Sequence, residues 1–545
     1  MREETGARGD SGKHDDFDLQ ERLDALTELA IWIAAGIAIG LALAVVLRIG
    51  GLRWSWALAG LPLAVLAWPL SWLLTGALLV AVSVAALCGN SWQGQDLERG
   101  GVEAESARDR RGPLTAFQGR RERQRWRSCR VEDGRFALGE TARGKVRTVP
   151  FGERQGTRAF VLGAPGSGKT VTLAAHALAY AEAGLPVVCV DPKGDASLRD
   201  ALASTAKRLG RPFLAWTPNG PATYNPLGRG GPSEIADKAL AGEEWSEPHY
   251  LRQAQRYLGL EVQALRDAGR WPASLASVTA HLDPHVLDSA LDEVADDLAL
   301  RTRQYLEGLS PRQRAELSGV RDRLAILCES ELGPWLEPQE AAPEIELGAA
   351  IANRSLVYFQ LDSDRYPLAS QMLGAAIVVD LVALSGELQG QALRGLVIID
   401  EFAAVAAEEI SRLLSRSRSA GLSVLLATQA FADLSVARMG DSTESLRRQV
   451  LSHVDYVVAH RQSEPEAADL LGQMAGTKPA WSVAKRAGSS FDPWRSDEEL
   501  TKRRTREFVR HPDEFKRLGT GRAIVIEPAS VREAERVRVW PSDYA

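Results

Sequence analysis

The residues of this chain with the clearest chemical potential lie at 163–170, where the sequence GAPGSGKT matches the pattern GxxxxGK[ST]. An apolar run, 158–162, precedes them, and a helix-like segment, 171–180, follows. In this order the glycines let backbone N–H groups surround a β-phosphate, Lys169 adds a positive charge, and Thr170 offers a hydroxyl to Mg²⁺. The alternative is a glycine turn that only caps a helix. The residues predicted to contact the nucleotide are Gly163, Ala164, Pro165, Gly166, Ser167, Gly168, Lys169, Thr170 and Val171.

A pair of carboxylates follows a second apolar run, in the sequence GLVIIDEF from residue 395. Four consecutive apolar residues are typical of a buried parallel strand, and open α/β sheets bind ligands at the carboxyl ends of their strands. We therefore predict that Asp400 holds Mg²⁺ and that Glu401 polarises the attacking water. The alternative is a strand that ends in solvated acids.

Two further apolar runs end in polar residues. The sequence PVVCVDPKGD from residue 186 places Lys193 and Asp195 just after a strand, and SVLLATQ from residue 423 ends in Gln429. An amide beside a γ-phosphate can sense hydrolysis by changing its hydrogen-bond partner, so Gln429 is predicted to belong to the site. Lys193 and Asp195 are further candidates, and ordinary strand-end polar residues are the alternative.

The segment SRLLSRSRSAG, which precedes that last strand, carries two arginines. Arg416 and Arg418 are two residues apart, so they do not share a helical face. We predict that Arg418 reaches the nucleotide of a neighbouring subunit as an arginine finger, which neutralises charge in the transition state. The alternative is a solvated surface arginine.

The composition describes a globular chain. Its 545 residues are 45% hydrophobic and 25% charged, and 65 Lys and Arg against 71 Asp and Glu give a net charge of -6, which excludes wholesale disorder. The four cysteines form no CxxC pair, so a disulfide framework and a zinc knuckle are not expected. Residues 99–130 nevertheless carry 10 basic and 4 acidic side chains, so the overall acidity does not exclude an anionic partner.

Membrane-spanning segments are predicted near the N-terminus. Leu29–Leu47 has 19 residues without a charge, enough to nearly cross a hydrocarbon core of about 30 Å. A signal peptide is excluded because the preceding residues are acidic and the apolar run is too long. A second uncharged stretch, Trp54–Cys88, predicts a span at about Leu63–Leu87 after a tight turn with Trp54 and Trp56 at the interface. Three short passes are the alternative.

The arginines that follow the second stretch predict that both ends of the chain lie in the cytoplasm, with the anchor in the inner membrane. A nucleic-acid role for these arginines is the alternative to topology and lipid contact. They are Arg99, Arg108, Arg110, Arg111, Arg120, Arg121, Arg123, Arg125, Arg127 and Arg130.

The remaining pattern predicts an α/β nucleotide-binding domain with a helical insertion. Leu251, Ala254, Leu258, Val262 and Leu265 repeat at helical spacing. Residues 476–505 have no clear period and are predicted to form a loop. The predicted divisions are a cytoplasmic tail at 1–28, the transmembrane region at 29–88, a basic connector with a small β element at 89–150, the nucleotide-binding domain at 151–232 and 346–545, and the all-α insertion at 233–345.

Taken together and in order, these motifs resemble those of type IV coupling proteins, the TraD/TraG-like ATPases of conjugation and type IV secretion. The resemblance covers essentially the whole chain from residue 29, and the combination of the nucleotide motifs with RSAG…ATQAFADL is its specific part. The motifs that carry it are GAPGSGKT, VVCVDPKGD, YNPL, VYFQLD, LVIIDEF, RSAGLSVLLATQAFADL and HPDEFKRLGTGRAIV.

The resemblance implies a RecA-like P-loop motor of the HerA/FtsK type with an inserted all-α domain and an N-terminal transmembrane hairpin. It implies ATP and Mg²⁺ as cofactors and a homo-hexameric ring that passes DNA, expected to be single-stranded and bound without sequence specificity. The implied partners are a relaxase with its DNA and the components of a type IV secretion channel. The chain lacks the long acidic C-terminal tail that some members use for partner docking.

Three alternatives to a conjugative DNA translocase fit parts of this pattern. An FtsK/SpoIIIE-type double-stranded DNA pump shares the motor but usually adds a long linker and a winged-helix module, and neither is evident. A secretion ATPase would power protein export or pilus assembly without DNA. A nucleotide-binding scaffold would hydrolyse little, and Glu401 argues against it.

Overall fold

The computed structural model describes residues 12–50, 52–98, 120–126, 131–152, 155–241, 245, 247–387, 394–402, 407–432, 443–486 and 499–541. The chain divides into two compact units. The first comprises Met1–Arg125 with Glu140–Val146, and the second comprises Trp126–Gly139 with Arg147–Ala545. Of the predicted juxtamembrane arginines, Arg99, Arg108, Arg110, Arg111, Arg127 and Arg130 lie outside the described residues.

The first unit is built on long apolar helices. Its helices are α1 (Gly12–Ile49), a 3₁₀ helix (Trp54–Gly60), α2 (Leu61–Ala67) and α3 (Trp72–Glu98). Two apolar stretches, Arg22–Ile49 with 28 residues and Trp72–Gln95 with 24, are long enough to cross a membrane at a rise of about 1.5 Å per residue.

Helices α1 and α3 pack through a stripe of small residues. A Cβ added at Gly36 would lie 2.6 Å from the carbonyl oxygen of Ala77, and one added at Gly40 would lie 2.6 Å from that of Ala81. Small residues four apart let two helix backbones approach closely, as they do in membrane helix pairs.

The second apolar helix begins later than the sequence indicated. It starts at Trp72 rather than at Leu63, because a turn at Trp68–Leu70 separates it from α2. Pro69 lies in this turn and has no N–H to donate to a continuing helix.

The second unit alternates strands and helices. Its strands are β1 (Val131–Glu132), β2 (Arg135–Thr141), β3 (Val146–Pro150), β4 (Arg158–Leu162), β5 (Val187–Asp191), β6 (Phe213–Trp216), β7 (Leu356–Gln360), β8 (Gly395–Ile399), β9 (Leu422–Thr428), β10 (Tyr456–Ala459), β11 (Thr477–Arg486), β12 (Glu499–Phe508), β13 (Arg522–Ile526) and β14 (Glu535–Val539). Its helices are α4 (Lys169–Glu182), α5 (Ala196–Leu209), α6 (Pro232–Ala239), α7 (Pro248–Asp267), α8 (Leu275–His281), α9 (Pro284–Ala290), α10 (Asp296–Glu307), α11 (Pro311–Cys328), α12 (Leu347–Ala352), α13 (Pro367–Glu387), α14 (Ala407–Ala420), α15 (Thr443–His453), α16 (Pro465–Met474) and α17 (Pro512–Lys516).

A twelve-stranded sheet forms the centre of this unit, in the order β1-β2-β14-β13-β10-β4-β9-β8-β5-β7-β6, with β3 paired to β2. The strands from β10 to β6 are parallel, whereas β13 is antiparallel to β10. The carboxyl ends of β4, β5, β8, β9 and β10 therefore meet at one edge of the sheet. This shared edge positions the candidate site.

Both faces of the sheet are buried. Along β4, Phe160 and Leu162 belong to one hydrophobic cluster, and Ala159 and Val161 belong to the other. Successive residues of a strand point to opposite faces, so a strand covered on both sides reads as a continuous apolar run. This explains why the central strands could be recognised from sequence.

Between β6 and β7, the described residues form helices and contain no named strand. Leu258, Val262 and Leu265 of α7 are fully buried, as their helical spacing predicted. Helix α13 is also apolar enough to cross a membrane, but 78% of its most apolar window is buried within the protein. It is a core helix of the second unit.

The predicted loop at 476–505 is wrong over its described part. Strands β11 and β12 pair antiparallel over their full lengths and form a separate two-stranded sheet, which we call the ribbon. Its polar and basic composition hid the strands, because neither strand has the apolar alternation of a half-buried sheet.

Candidate functional site

The glycine-rich loop lies between the carboxyl end of β4 and the first residue of α4, Lys169. Gly166 has φ +68° and Gly168 has φ +111°, which are conformations that residues with a Cβ rarely adopt. These two glycines turn the backbone from the strand into the helix. Pro165 and Gly166 are exposed, Ser167 is buried, and Val171 is half-buried in the first turn of the helix.

Two segments that the sequence reasoning missed hold this loop. The backbone N–H of Ala164 donates to the carbonyl oxygen of Arg461, 2.9 Å away, just after β10. The N–H of Gly521 donates to the carbonyl oxygen of Ser167 at 2.9 Å, and a Cβ at Gly168 would come within 3.0 Å of Gly521. The glycine pair around Thr520 in the sequence GTG was the signal that could have pointed to this contact.

A buried histidine ties the same region together. The Nε2 of His460 lies 2.8 Å from the Oγ1 of Thr172, and its Nδ1 lies 3.1 Å from the carbonyl oxygen of Arg522. Burial lowers the pKa of His460 to about 4, so the ring is neutral at physiological pH. It therefore adds no positive charge beside Lys169.

The side chain of Lys169 lies between the glycine-rich loop and the carboxylate of Glu401. Its ammonium group donates to the carbonyl oxygen of Gly163 at 2.9 Å and lies 3.4 Å from Oε1 of Glu401. Its side chain is only 10% exposed, and burial lowers its pKa although Glu401 and Asp400 act in the other direction. A buried lysine whose charge is only partly balanced is suited to bind a phosphate.

The two carboxylates sit immediately after β8. The N–H of Asp400 donates to the carbonyl oxygen of Val190 at 3.0 Å, which fixes this residue at the end of β5 and β8. Burial, with the charges of Glu401 and Asp191, raises the pKa of Asp400 to about 7. A buried carboxyl group with a raised pKa beside a lysine is typical of functional sites.

Glu401 has a strained backbone. Its φ is +41°, in the left-handed region that residues other than glycine seldom occupy. Its N–H donates to Oδ1 of Asp400 at 3.0 Å, which helps to hold this conformation. Such strain concentrates at functional positions, where the surrounding structure maintains it.

The carboxylate of Glu401 contacts four groups at the carboxyl edge of the sheet. Its Oε1 lies 3.4 Å from the ammonium group of Lys169 and 3.3 Å from that of Lys193. Its Oε2 accepts from the hydroxyl of Thr428 at 3.4 Å and from the N–H of Gln429 at 3.3 Å. The structure thus brings Lys169, Lys193 and Glu401 together with the backbone of Gln429. The role predicted for the side-chain amide of Gln429 stays a prediction.

Thr170 contacts a second carboxylate. Its hydroxyl donates to Oδ2 of Asp195 at 2.8 Å. The other oxygen of Asp195 accepts from the N–H of Ser197, so Asp195 also caps the N-terminus of α5. The preceding turn is organised by the buried Asp191, which accepts from the N–H groups of Lys193, Gly194 and Asp195. The hydroxyl proton of Thr170 is therefore directed away, which leaves its oxygen lone pairs available to a cation.

The donor set fits Mg²⁺ bound together with a phosphate. Among the described residues, no group of three or more His, Cys, Asp and Glu side chains could hold a metal alone. Magnesium ordinarily binds one or two protein oxygens together with substrate phosphates and waters. Thr170 and Asp400 are the residues predicted to supply such oxygens.

Arg418 lies away from this cluster. It belongs to the last turn of α14, and its carbonyl oxygen accepts from the N–H of Gly156, just before β4. Its Nε donates to the side chain of Gln155 at 3.2 Å. The glycine-rich loop lies at the other end of β4, about 16 Å along a five-residue strand. Arg418 therefore does not serve the site of its own chain, and its predicted role requires a neighbouring subunit.

Comparisons with protein families give two matches. The family described as "TraM recognition site of TraD and TraG" matches residues 394–520, which include Asp400, Glu401 and Gln429. The family described as "Helicase HerA-like C-terminal" matches residues 139–209, which include the glycine-rich loop. The comparison with curated proteins gave no match.

Solved structures of a bacterial conjugative coupling protein, TrwBdeltaN70, share the fold. The unbound monoclinic form aligns with a TM-score of 0.54 and 17% identity, covering 77% of this chain and 92% of that chain. The sulphate complex aligns at 0.52 with 18% identity, covering 76% and 92%. The complex of TrwB with the non-hydrolysable ATP analogue ADPNP aligns at 0.50 with 18% identity, covering 76% and 92%. The predicted fold class, an α/β RecA-like fold preceded by apolar N-terminal helices, is confirmed.

Proposed function

We propose that this TraD/TraG-like chain is a membrane-anchored ATPase that drives DNA from a relaxase–DNA substrate into a type IV secretion channel during conjugation. The observation that supports it most directly is the convergence of Lys169, Glu401 and Gln429 at one edge of a parallel sheet. A site that only bound nucleotide would not need a carboxylate in a strained conformation beside the loop lysine.

ATP is the proposed substrate, because the similar TrwB structure holds an ATP analogue. Backbone N–H groups of the glycine-rich loop and the ammonium group of Lys169 would bind its phosphates. Lys169 would exchange its contact with Gly163 for the phosphate oxygens. Thr170 and Asp400 would hold Mg²⁺, which when bound neutralises charge on the phosphates.

Glu401 would position and polarise the water that attacks the γ-phosphate. In the structure the carboxylate of Glu401 is held by Lys169 and Lys193. Once the phosphates engage Lys169, Glu401 loses one of these cations and becomes a better acceptor for a water proton. The N–H of Gln429 contacts the other oxygen of Glu401, so Gln429 would transmit the change to β9 and α14.

We infer the membrane anchor from the apolar helices of the first unit and the ring assembly from the position of Arg418 in the second. The apolar helices α1 and α3 would insert as a hairpin in the inner membrane, with the motor in the cytoplasm. Arg418 would complete the site of the next subunit in a homo-hexameric ring, because it lies far from its own glycine-rich loop. DNA would contact the ring through its phosphates, in a manner that is independent of sequence and sensitive to salt.

The experiment that tests this proposal is a steady-state ATPase assay of the full chain in detergent micelles. We expect single-stranded DNA to stimulate hydrolysis by wild type and to leave Lys169→Ala inactive. Hydrolysis that DNA does not change would favour a secretion ATPase that acts without DNA. Stimulation by double-stranded DNA alone would favour the FtsK/SpoIIIE-type pump.

A further inference from the structure

The ribbon, β11 with β12, has two chemically different faces. Residues directly opposite each other in an antiparallel pair share a face, and successive residues alternate between faces. The register pairs Thr477 with Phe508 and Arg486 with Glu499, so it assigns every ribbon residue to one face. This assignment cannot be made from the sequence alone, because it depends on which residues of the two strands lie opposite each other.

One face balances its charges across the strands. Lys478 lies opposite Glu507, and Arg486 lies opposite Glu499. Opposite charges in such positions stabilise a two-stranded sheet. Arg503, opposite Ser482, is the remaining basic residue of this face. We call it the balanced face.

The other face carries cations without an acid. Lys485, Lys502, Arg504 and Arg506 belong to it, and the residue opposite Arg504 is Trp481. We call it the cationic face. At its described end, Arg504 and Arg506 are exposed. The register therefore places four basic residues and no acidic residue on one side of a ribbon that forms its own two-stranded sheet, which favours an anionic partner.

We propose that the cationic face binds the phosphate backbone of single-stranded nucleic acid and that Trp481 stacks on a base. The identity of this partner rests on the proposed function. Lys502, Arg504 and Arg506 recur every second residue, about 6.8 Å apart along the strand, a spacing comparable with that of phosphates along an extended nucleic-acid strand. Interleaved cations and an aromatic ring are the combination that binds single strands without sequence preference. An acidic protein segment would use the cations but would gain less from the indole.

The test measures binding of a fluorescent oligothymidylate to the full chain in detergent micelles by anisotropy, over a range of salt concentrations. The cationic-face variant is Lys485→Gln/Lys502→Gln/Arg504→Gln, which spares Arg506 because its Nε donates to Thr477. We expect affinity to fall roughly tenfold or more near physiological salt. We also expect the slope of log affinity against log salt to decrease by about 2, since each lost phosphate contact contributes about 0.7 for a single strand.

The matched control removes three cations from the balanced face of the same ribbon, as Lys478→Gln/Arg486→Gln/Arg503→Gln. Its affinity and salt slope should remain near those of wild type. A second pair, Trp481→Ala and Trp481→Phe, separates stacking from charge. Trp481→Ala should weaken binding roughly tenfold and Trp481→Phe should retain most of it. Circular dichroism of each variant checks that the fold is kept.

The outcomes separate this inference from the proposed function. Equal losses for both triple variants would overturn the assignment to one face. Unchanged oligothymidylate binding in the cationic-face variant, with lost binding to a labelled polyglutamate peptide, would make the partner an acidic protein and overturn the nucleic-acid assignment. In either case wild type would still bind DNA, and the proposed function would stand. If wild type itself bound no oligothymidylate, both would fail.

Discussion

The Oε1 atom of Glu401 lies between two lysines, 3.4 Å from the ammonium group of Lys169 and 3.3 Å from that of Lys193. The two lysines differ in their surroundings. The side chain of Lys169 is 10% exposed and that of Lys193 is 46% exposed. The carboxylate of Glu401 is therefore held by one buried and one solvated cation, and the two lysines should respond differently to substitution.

Replacing Glu401 tests its role as the water-activating group. Glu401→Gln keeps the size of the side chain and its contact with the N–H of Gln429, but it loses the basicity needed to take a proton. We expect ATP binding to persist and kcat to fall roughly 100-fold or more. Binding of a fluorescent ATP analogue and steady-state hydrolysis measure the two quantities. The control, Glu533→Gln, changes an exposed acid and should leave kcat unchanged. Full turnover by Glu401→Gln would remove Glu401 from the reaction.

The two lysines beside Glu401 should contribute unequally. Lys169→Ala removes the buried cation and should abolish nucleotide binding, hydrolysis and DNA transfer to recipient cells, with membrane insertion intact. Lys193→Gln removes a half-exposed partner, and exposed ion pairs contribute about 0–1 kcal/mol, so kcat should fall at most about fivefold. The same hydrolysis and binding assays apply. Equal losses for the two variants would contradict the assignment of Lys169 as the phosphate lysine.

Asp195 should position Thr170 for Mg²⁺. Asp195→Asn removes the charge that accepts the hydroxyl proton of Thr170 but retains an oxygen that can cap α5. We expect the Mg²⁺ concentration for half-maximal hydrolysis to rise roughly tenfold or more, the usual cost of losing a partner of a metal ligand. A Mg²⁺ titration of ATPase activity measures it. Asp200→Asn, at an exposed position of the same helix, should leave the titration unchanged. An unchanged requirement in Asp195→Asn would make the contact purely structural.

His176 should make stability depend on pH. Its Nδ1 donates to the carbonyl oxygen of Thr172 at 2.7 Å, and its Nε2 accepts from the hydroxyl of Tyr456 at 2.9 Å. The neutral ring satisfies both contacts, and burial lowers its pKa to about 4. The unfolded chain binds this proton near pH 6.5, so the stability from the neutral ring is present above pH 6.5 and lost as pH falls towards 4.

The loss should reach at most about 1.4 kcal/mol per pH unit. Unfolding of the full chain in micelles, followed by tryptophan fluorescence between pH 4.5 and 7.5, measures it. His176→Gln should show a smaller decrease on acidification than wild type. His285→Gln, at an exposed histidine, should behave as wild type does. A His176→Gln profile parallel to that of wild type would exclude this histidine as a source of the acid sensitivity.

The glycine stripe of the anchor predicts a positional effect. Gly36→Leu should separate α1 from α3, because an added Cβ would already lie 2.6 Å from the carbonyl oxygen of Ala77. Gly76→Leu is the matched control, because a Cβ there would meet no atom within 4 Å. Crosslinking between cysteines placed on the two helices reports their approach in membranes. Equal crosslinking in both variants would show that α1 and α3 do not pack through this stripe.

The sequence was most informative where one chemical requirement determines one residue type. The glycine-rich loop, the buried strands and the apolar helices follow from phosphate binding, period-two burial and hydrophobic length, and each could be recognised locally. The contacts of Ala164 with Arg461 and of Ser167 with Gly521 could not be recognised locally. They join segments roughly 300 or more residues apart, and they use backbone atoms that almost any residue would supply. The roles assigned to the site residues stay predictions, although the structure brings several of those residues together.

The ribbon marks the other limit of sequence reasoning. Its strands are rich in polar and basic residues, so no hydrophobic period distinguishes them from a loop. The start of α3 was misplaced for a different reason, since the apolar composition continues through Pro69 while the helix does not. The composition of these segments indicated their polarity, but it did not indicate where their strands and helices begin and end.

The left-handed conformation of Glu401 lowers the stability of the fold at a residue that the proposed reaction requires. Glycine would adopt φ +41° without strain, whereas a residue with a side chain is destabilised there by about 1–3 kcal/mol. A search for more heat-resistant variants would therefore tend to select glycine at this residue and discard the carboxylate. Thermal stability would then increase while the rate of ATP hydrolysis decreased. Selection for stability would therefore readily replace the residue that the proposed chemistry needs most.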